Sequence, residues 1–506
     1  MNYISERVTI MKKRILALLL CALMTSSVLT ACGDSSSVET ETAGTDIGTE
    51  TEAVETEITR ENTPDTLPDD LDFEGTTLNI YYFGQETSAQ YDGPAELTGD
   101  VVMDALYNRN LSVEERLNVK FNWVKGADGW DSYPAEVMTL LQAGASDFDF
   151  YIEENSRLFQ QSIQGYFYDL MTKPYIDLSQ PWWYNDLMEE SSLDNSKRYF
   201  LTGDICLTTL FGASATFFNK ELFIDYFEDE NILYDQVING EWTMDTFMEY
   251  CRTIATDLNG DGSFDENDLM GFRYEQWGIP NYMSMSTGIE YSTRDSDGFP
   301  VLNIYNEQSL TWADTLYKLL YTDNMAVQGD KIATFEDEKS LFLLGQLSTS
   351  HELRNTNFGF GIIPYPKLDE TVEYNSSAAT ANGCGVAVPV SASADKLDAA
   401  FAAIEALCAQ AYRTVTPAWY ETALKIKYSD DAIDAQMVDL IYETIGSPFI
   451  MMADKAIGTG SVFTYAVYGA ASEGTFTSYW EKNENKFLTS LAKTIEDYKA
   501  LDVSGN

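Results

Sequence analysis

Twelve residues, Asp257 to Asp268, carry side-chain oxygen at alternating places. Asp257, Asn259 and Asp261 stand at positions one, three and five. Gly262 at six permits a sharp turn, Ser263 offers its backbone carbonyl at seven, Phe264 fills an apolar eighth place, and Asp265 can coordinate directly or through water. A hard cation needs about six to eight converging oxygens, and this is the ligand spacing of an EF-hand loop, so Ca2+ is the expected ion. Asp268 stands at position twelve, where a longer Glu would bind with both oxygens. Its shorter arm implies a weaker or more hydrated site. Leu269 to Tyr274 then reads as a strand and not a second helix, so the expected role is a structural clamp.

Other chemistries find less support. The only histidine is His351, so a Ser-His-Asp site would have to use it, and no Gly-x-Ser-x-Gly elbow accompanies it. His351-Glu352 lacks the second histidine of a zinc helix. No glycine-rich phosphate loop stands out. With 81 acidic residues, accidental carboxylate pairs abound, so no one pair argues for glycoside hydrolysis. Cys206, Cys251, Cys384 and Cys408 are widely spaced without a CxxC. Cys251 and Cys408 fall on apolar helix faces, which favours buried thiols.

Cys32 is different. It ends Leu29-Thr30-Ala31-Cys32, behind basic Lys12, Lys13 and Arg14 and the apolar run Ile15 to Met24. That run has ten residues, too few for a bilayer that needs roughly 20. The pattern reads as a lipoprotein signal peptide (residues 1–31), with palmitate-type acylation expected at Cys32 after cleavage. One chain anchors marginally and two or more hold firmly. The expected location is extracytoplasmic, lipid-anchored to a bacterial cell membrane.

Behind Cys32, residues 32–70 read as an acidic linker. Between Gly33 and Thr66 ten acids face one cation, Arg60. Such a stretch cannot bury enough apolar surface to offset its ordering entropy, so it is expected to be disordered, and like charges extend it. The remaining body is long enough for two lobes, with 44% hydrophobic and 13% aromatic residues to fill them. A net charge of -50 argues against nucleic-acid binding, which needs a basic footprint.

The elements that would position a site alternate between strand and helix. Thr76 to Phe83, Val119 to Val124 and Phe148 to Ile152 read as strands, with Val101 to Leu117 and Ala135 to Gln142 as helices between them. That is the pattern of an α/β lobe with a largely parallel sheet. Ligands of such sheets bind at the carboxyl ends of strands, which places Glu86, Glu153 and Glu154 at the mouth of a cleft. A second α/β unit starts near Gly203, with Leu207 to Phe218 strand-like and a helix opening at Asn219-Lys220. Thr243 is a fitting N-cap for another helix, whose buried stripe is Phe247, Tyr250, Cys251 and Ile254.

With these pieces placed, the chain resembles bacterial extracellular solute-binding proteins of the maltose-binding class (family 1). Leu207 to Phe223, Gly240 to Phe272, Phe358 to Lys367, Asn382 to Val390, Ala399 to Ala409 and Thr414 to Tyr428 carry the likeness in order. The resemblance implies a two-lobed α/β fold of the periplasmic-binding-protein type (type II), closing on a ligand by hinge motion. It implies an N-terminal lobe from 71–205 plus 360–415, a C-terminal lobe from 206–359 plus 416–499, and hinges near 203–211 and 358–365. It implies binding without catalysis and delivery to ABC permease subunits. A carbohydrate, in particular an oligosaccharide, is the expected solute, because sugars pair apolar C–H faces with hydroxyls that suit aromatics and carboxylates. Glu153 and Glu154 follow the strand that carries ligand-binding acids in the family. Tyr274, Glu275 and Trp277 match the segment where an aromatic stacks. Trp419 and Tyr420 are further candidates, and His351 and Arg354, after a helix expected over 335–347, would edge the cleft. A lipid-anchored glycan-degrading enzyme and a surface capture protein without transport are the competing readings.

Overall fold

The structure is a computed structural model, and it describes residues 59–83, 92–129, 131–275, 278–322, 324–377, 383–420, 432–468 and 475–501. Nine strands build two sheets: β1 (Thr76–Tyr82), β2 (Val119–Lys125), β3 (Phe150–Glu154), β4 (Ser214–Asn219), β5 (Met270–Tyr274), β6 (Ala326–Gln328), β7 (Ser340–Gln346), β8 (Phe360–Ile363) and β9 (Cys384–Ala387). The helices used below are α1 (Val101–Leu117), α2 (Ser132–Gln142), α3 (Asn155–Ser162), α4 (Thr208–Phe211), α5 (Lys220–Phe227), α6 (Met244–Ile254), α7 (Ile279–Ser286), α8 (Lys331–Glu336), α9 (Leu397–Gln410), α10 (Ala432–Glu443), α11 (Asp454–Ile457), α12 (Val462–Tyr468) and α13 (Thr475–Leu501).

The first sheet has the order β9-β3-β1-β2. β1 runs parallel to both β2 and β3, and β9 returns antiparallel to β3. Helix α1 starts where Asp100 Oδ1 accepts the Val102 and Met103 N–H groups, each at 3.0 Å, as an N-cap should. It stops at Asn118, whose φ of 48° is left-handed. Its Val113 and Leu117 join Ile80, Phe150 and Val386 in one core, covered by the alanine-rich α9.

The second sheet has the order β8-β4-β7-β5-β6. The pairs β7–β5 and β5–β6 are parallel, and β4 is antiparallel to β7 and β8. Thr243 Oγ1 accepts the Thr246 N–H at the start of α6, and Phe247, Tyr250, Cys251 and Ile254 are all buried. α6 packs on β5, and α10 on β8. Cys206, Cys251, Cys384 and Cys408 are buried thiols.

Three local expectations change. Leu207 to Phe218 is not one strand: Thr208–Phe211 is a helical turn, and the strand begins at Ser214. The helix expected over 335–347 is a short helix, α8, followed by β7, a central strand with its first six residues buried. A continuous apolar run does not distinguish a doubly covered strand from a buried helix. Phe360–Ile363 pairs with β4, so this strand belongs to the second sheet and the chain returns to the first sheet after it, not before.

The acidic linker also ends earlier than expected. Arg60–Asn62 forms a single 3-10 turn, and Leu67 is buried in the first core. Asp65 is held by Arg116 at 2.8 Å and Arg413 at 3.5 Å. Paired side chains supply the ordering energy that the apolar content lacks.

Candidate functional site

One wall lies at the carboxyl end of β3. The strand runs through Glu153 and Glu154, so its alternation sends them to opposite faces. Glu153 is fully buried, and Gln161 Nε2 donates to its Oε2 at 2.7 Å. Its Oε1 has no partner, and burial pushes its carboxyl up to about 8. In this arrangement it is an interior acid and not a cleft residue, contrary to its expected place at the mouth. Glu154 faces the other way and is buried too, 5% exposed. It accepts the Ser156 hydroxyl and lies 3.9 Å from Arg157, which in turn lies 3.6 Å from Asp131. Burial raises its carboxyl pKa, against the pull of Lys455 and Arg157.

A second wall lies at the carboxyl ends of parallel β5 and β6. Tyr274, the last residue of β5, lines an open pocket of about 670 Å3 with Glu275, Gln328, Asp330, Glu336 and Glu352. Glu275 is exposed. Lys331 Nζ sits 3.9 Å from it, and burial lowers the lysine's pKa.

A single stretch bridges the two walls. Gln160 Nε2, in α3, donates to Lys455 O of α11 at 2.7 Å. The Thr464 hydroxyl of α12 donates to Asn281 Oδ1 of α7, the helix that follows β5. Next to the second anchor stands Tyr465, 50% exposed, with its ring 6.4 Å from Tyr479 and nearly parallel to it. A supported, exposed ring of this kind is a platform for an apolar sugar face. The sequence reading missed Tyr465. Its signal, a tyrosine in a seven-residue helix, was lost among 31 tyrosines.

The remaining expected residues part company. Trp419 is 0% exposed and donates its indole N–H to His351 Nε2 at 3.2 Å, with the Phe211 ring 4.9 Å away. These three fill a core among α1, α4 and the second sheet, so Trp419 is no stacking platform here. Tyr420 is half-buried and its hydroxyl donates to Asp439. Glu86, Trp277 and the side chain of Arg354 lie outside the described residues.

The 257–268 loop turns through Gly260 and Gly262, both with positive φ (73° and 81°), where a side chain would be strained. Asp257 accepts the N–H groups of Gly260 and Gly262, Asn259 that of Asp261, and Asp261 that of Ser263. Asp268 is buried and accepts from Leu258 and Asp265 N–H, which hold its carboxyl below the usual range. The donor types suit a hard cation, but each carboxylate faces the loop's own backbone. Among the described residues no group of three or more acidic, cysteine or histidine side chains converges as metal ligands.

No protein-family model matches the chain, and no curated protein sequence matches it. Solved structures do. The ABC substrate-binding protein Lmo0181 from Listeria monocytogenes, in complex with cycloalternan, is 14% identical, with 83% of this chain and 99% of that chain covered and a TM-score of 0.53. UgpB from Mycobacterium tuberculosis, in complex with glycerophosphocholine, is 11% identical over 83% and 100% of the two chains, with a TM-score of 0.55. The ABC transporter associated binding protein from B. animalis subsp. lactis Bl-04, in complex with beta-1,6-galactobiose, is 16% identical over 82% and 98%, with a TM-score of 0.53. The two sheets and the stretch that bridges them therefore form the two-lobed, periplasmic-binding-protein-like α/β fold of ABC-transporter solute-binding proteins.

Proposed function

We propose that this protein is the extracytoplasmic solute-binding component of an ABC importer, that it captures a carbohydrate between its lobes, and that it delivers it to membrane permease subunits without catalysis. The observation that carries this is the site's construction: acceptor-rich walls at the strand ends of two separate sheets, bridged by one stretch bearing the exposed Tyr465. Two of the structural relatives were solved with glycans. The third was solved with glycerophosphocholine, so the fold alone does not choose the solute.

The lipid anchor at Cys32 belongs to the same proposal. No described helix is long and apolar enough to cross a membrane, and an acylated Cys32 would keep the protein beside its permease. The 257–268 loop is proposed to take Ca2+ by exchanging some of its backbone N–H contacts for the cation, as a clamp beside β5.

The test is a thermal-shift screen of the chain from Gly33 onward against oligosaccharides, with product analysis of the same incubations. A sugar-dependent shift with the sugar recovered unchanged is expected. Cleavage products would overturn the binding reading in favour of a glycan-degrading enzyme.

A further inference from the structure

Arg60 is the one cation in the acidic stretch behind Cys32, and it is inserted into the body. Its Nε donates to Tyr412 O at 2.9 Å. Its guanidinium lies 4.2 Å from the centroid of the Tyr412 ring and 5.7 Å from that of Tyr442. The two tyrosines sit on elements of different lobes. Tyr412 is in the π-helical turn Ala411–Val415 that prolongs α9 and packs on α1. Tyr442 is at the end of α10, which packs on β8 of the second sheet.

Beneath them lies Asp204, fully buried, in the connection from the first lobe to α4. Its Oδ1 accepts the hydroxyls of Tyr184 at 3.0 Å and Thr416 at 2.7 Å and lies 3.8 Å from Arg60 Nη2. Its Oδ2 has no hydrogen-bond partner. A buried carboxylate of this kind needs its cation nearby. The segment carrying Arg60 is itself pinned to the first lobe: Arg413 Nη1 donates to Thr63 O at 3.0 Å and Arg116 Nη2 to Leu67 O at 3.3 Å.

We infer that the 59–67 segment is a clasp that sets the equilibrium between lobe arrangements, with Arg60 held between Tyr412 of one lobe and Tyr442 of the other. The stack exists only while the two rings keep this spacing, so any lobe rotation that parts them forfeits it. A guanidinium over aromatic faces gains more when partly desolvated, and here it is half-buried. The clasp biases the arrangement described above and opposes departures from it. The inference needs the two-lobed fold and not the identity of the solute, so it can fail or stand apart from the transport reading.

The test places spin labels on exposed positions of the two lobes, through Glu115→Cys in α1 and Glu249→Cys in α6, and measures distance distributions in the solute-free full mature chain. The wild type is expected to give one dominant distance. Arg60→Ala and, independently, Tyr442→Leu are expected to cut that population by at least half and to broaden the distribution in the same direction. Arg60→Lys, which keeps charge but not the planar stack, is expected to fall between. If either of the first two variants folds, with an unchanged distribution, the clasp is refuted. A lowered melting temperature without a change in distance would also refute it, by making the contact merely structural.

Discussion

Trp183 donates its indole N–H to Glu405 Oε2 at 3.1 Å, across 222 positions of chain. Trp182 donates to Oε1 of the same carboxylate at 3.1 Å, and Asp177 N–H adds a third donor at 3.3 Å. Glu405 is fully buried on α9, whose other buried residues are all apolar, and thus fixes the Pro181-Trp182-Trp183 segment against the first lobe. Burial outweighs the three donors and pushes its carboxyl up to about 8.

Glu405→Ala should therefore leave two buried indole donors and the half-buried Asp177 N–H without an acceptor. At roughly 1–3 kcal/mol for each buried unsatisfied group, a loss of about 2 kcal/mol or more is expected in urea unfolding. Glu405→Gln keeps one acceptor and should lose less. Equal stability of Glu405→Ala and wild type would remove this grip from the list of what holds the lobe together.

Glu153 should make stability depend on pH. Its folded-state value of about 8 stands above the ordinary 4.5, so over that window the folded protein binds more protons than the unfolded chain. Stability must then fall as pH rises from about 4.5 to about 8 and level off beyond. Glu153→Gln copies the protonated acid toward Gln161. Its advantage over wild type is expected to grow across the same window. Parallel stability–pH curves for the two proteins would show that Glu153 carries no such shift.

The strands and helices of the first lobe were legible because each has a strong local sign. Asp100 caps α1, Asn118 ends it, and β1 and β3 each carry a short apolar run. What was not legible depended on distant partners. β7 reads as a helix until β4 and β5 are known to pair with it on either side. Trp419 reads as a platform until His351 and Phe211 enclose it. Glu153 and Glu154 are neighbours of one type, and only the packing around the end of β3 shows that both are buried. Tyr465 becomes visible only through the bridge between lobes.

Tyr465→Ala should weaken glycan binding without unfolding the protein, since its ring is half exposed. Loss of one stacking face is expected to cost about tenfold in affinity, or roughly 1.4 kcal/mol, by calorimetry. Trp419→Phe should instead lower the melting temperature and leave affinity intact, because its indole N–H serves His351. The reverse pattern would move the binding face to the core around His351.

The charge of the β5–β6 pocket should select among sugars. Glu275, Asp330, Glu336 and Glu352 line it, with Lys331 as the nearby cation. Neutral oligosaccharides are expected to bind, and oligosaccharides of uronic acids to be disfavoured by like-charge repulsion. The discrimination should shrink in high salt, as screening requires. Tight binding of a uronic-acid oligomer would contradict the pocket's role.

Chelation should destabilise the protein through the 257–268 loop. A ligand that binds only the folded state stabilises it by about 2.7 kcal/mol at a hundredfold excess over its Kd. A chelator should therefore lower the melting temperature, and added Ca2+ should restore it. Asp257→Ala is expected to abolish the response, because Asp257 is the carboxylate that otherwise caps both Gly260 and Gly262. Loss of that cap alone would lower the melting temperature with or without chelator. The decisive readout is thus the difference between the two conditions and not the absolute value. If the wild type melts alike with Ca2+ and with chelator, the loop is an acidic turn held by its own backbone.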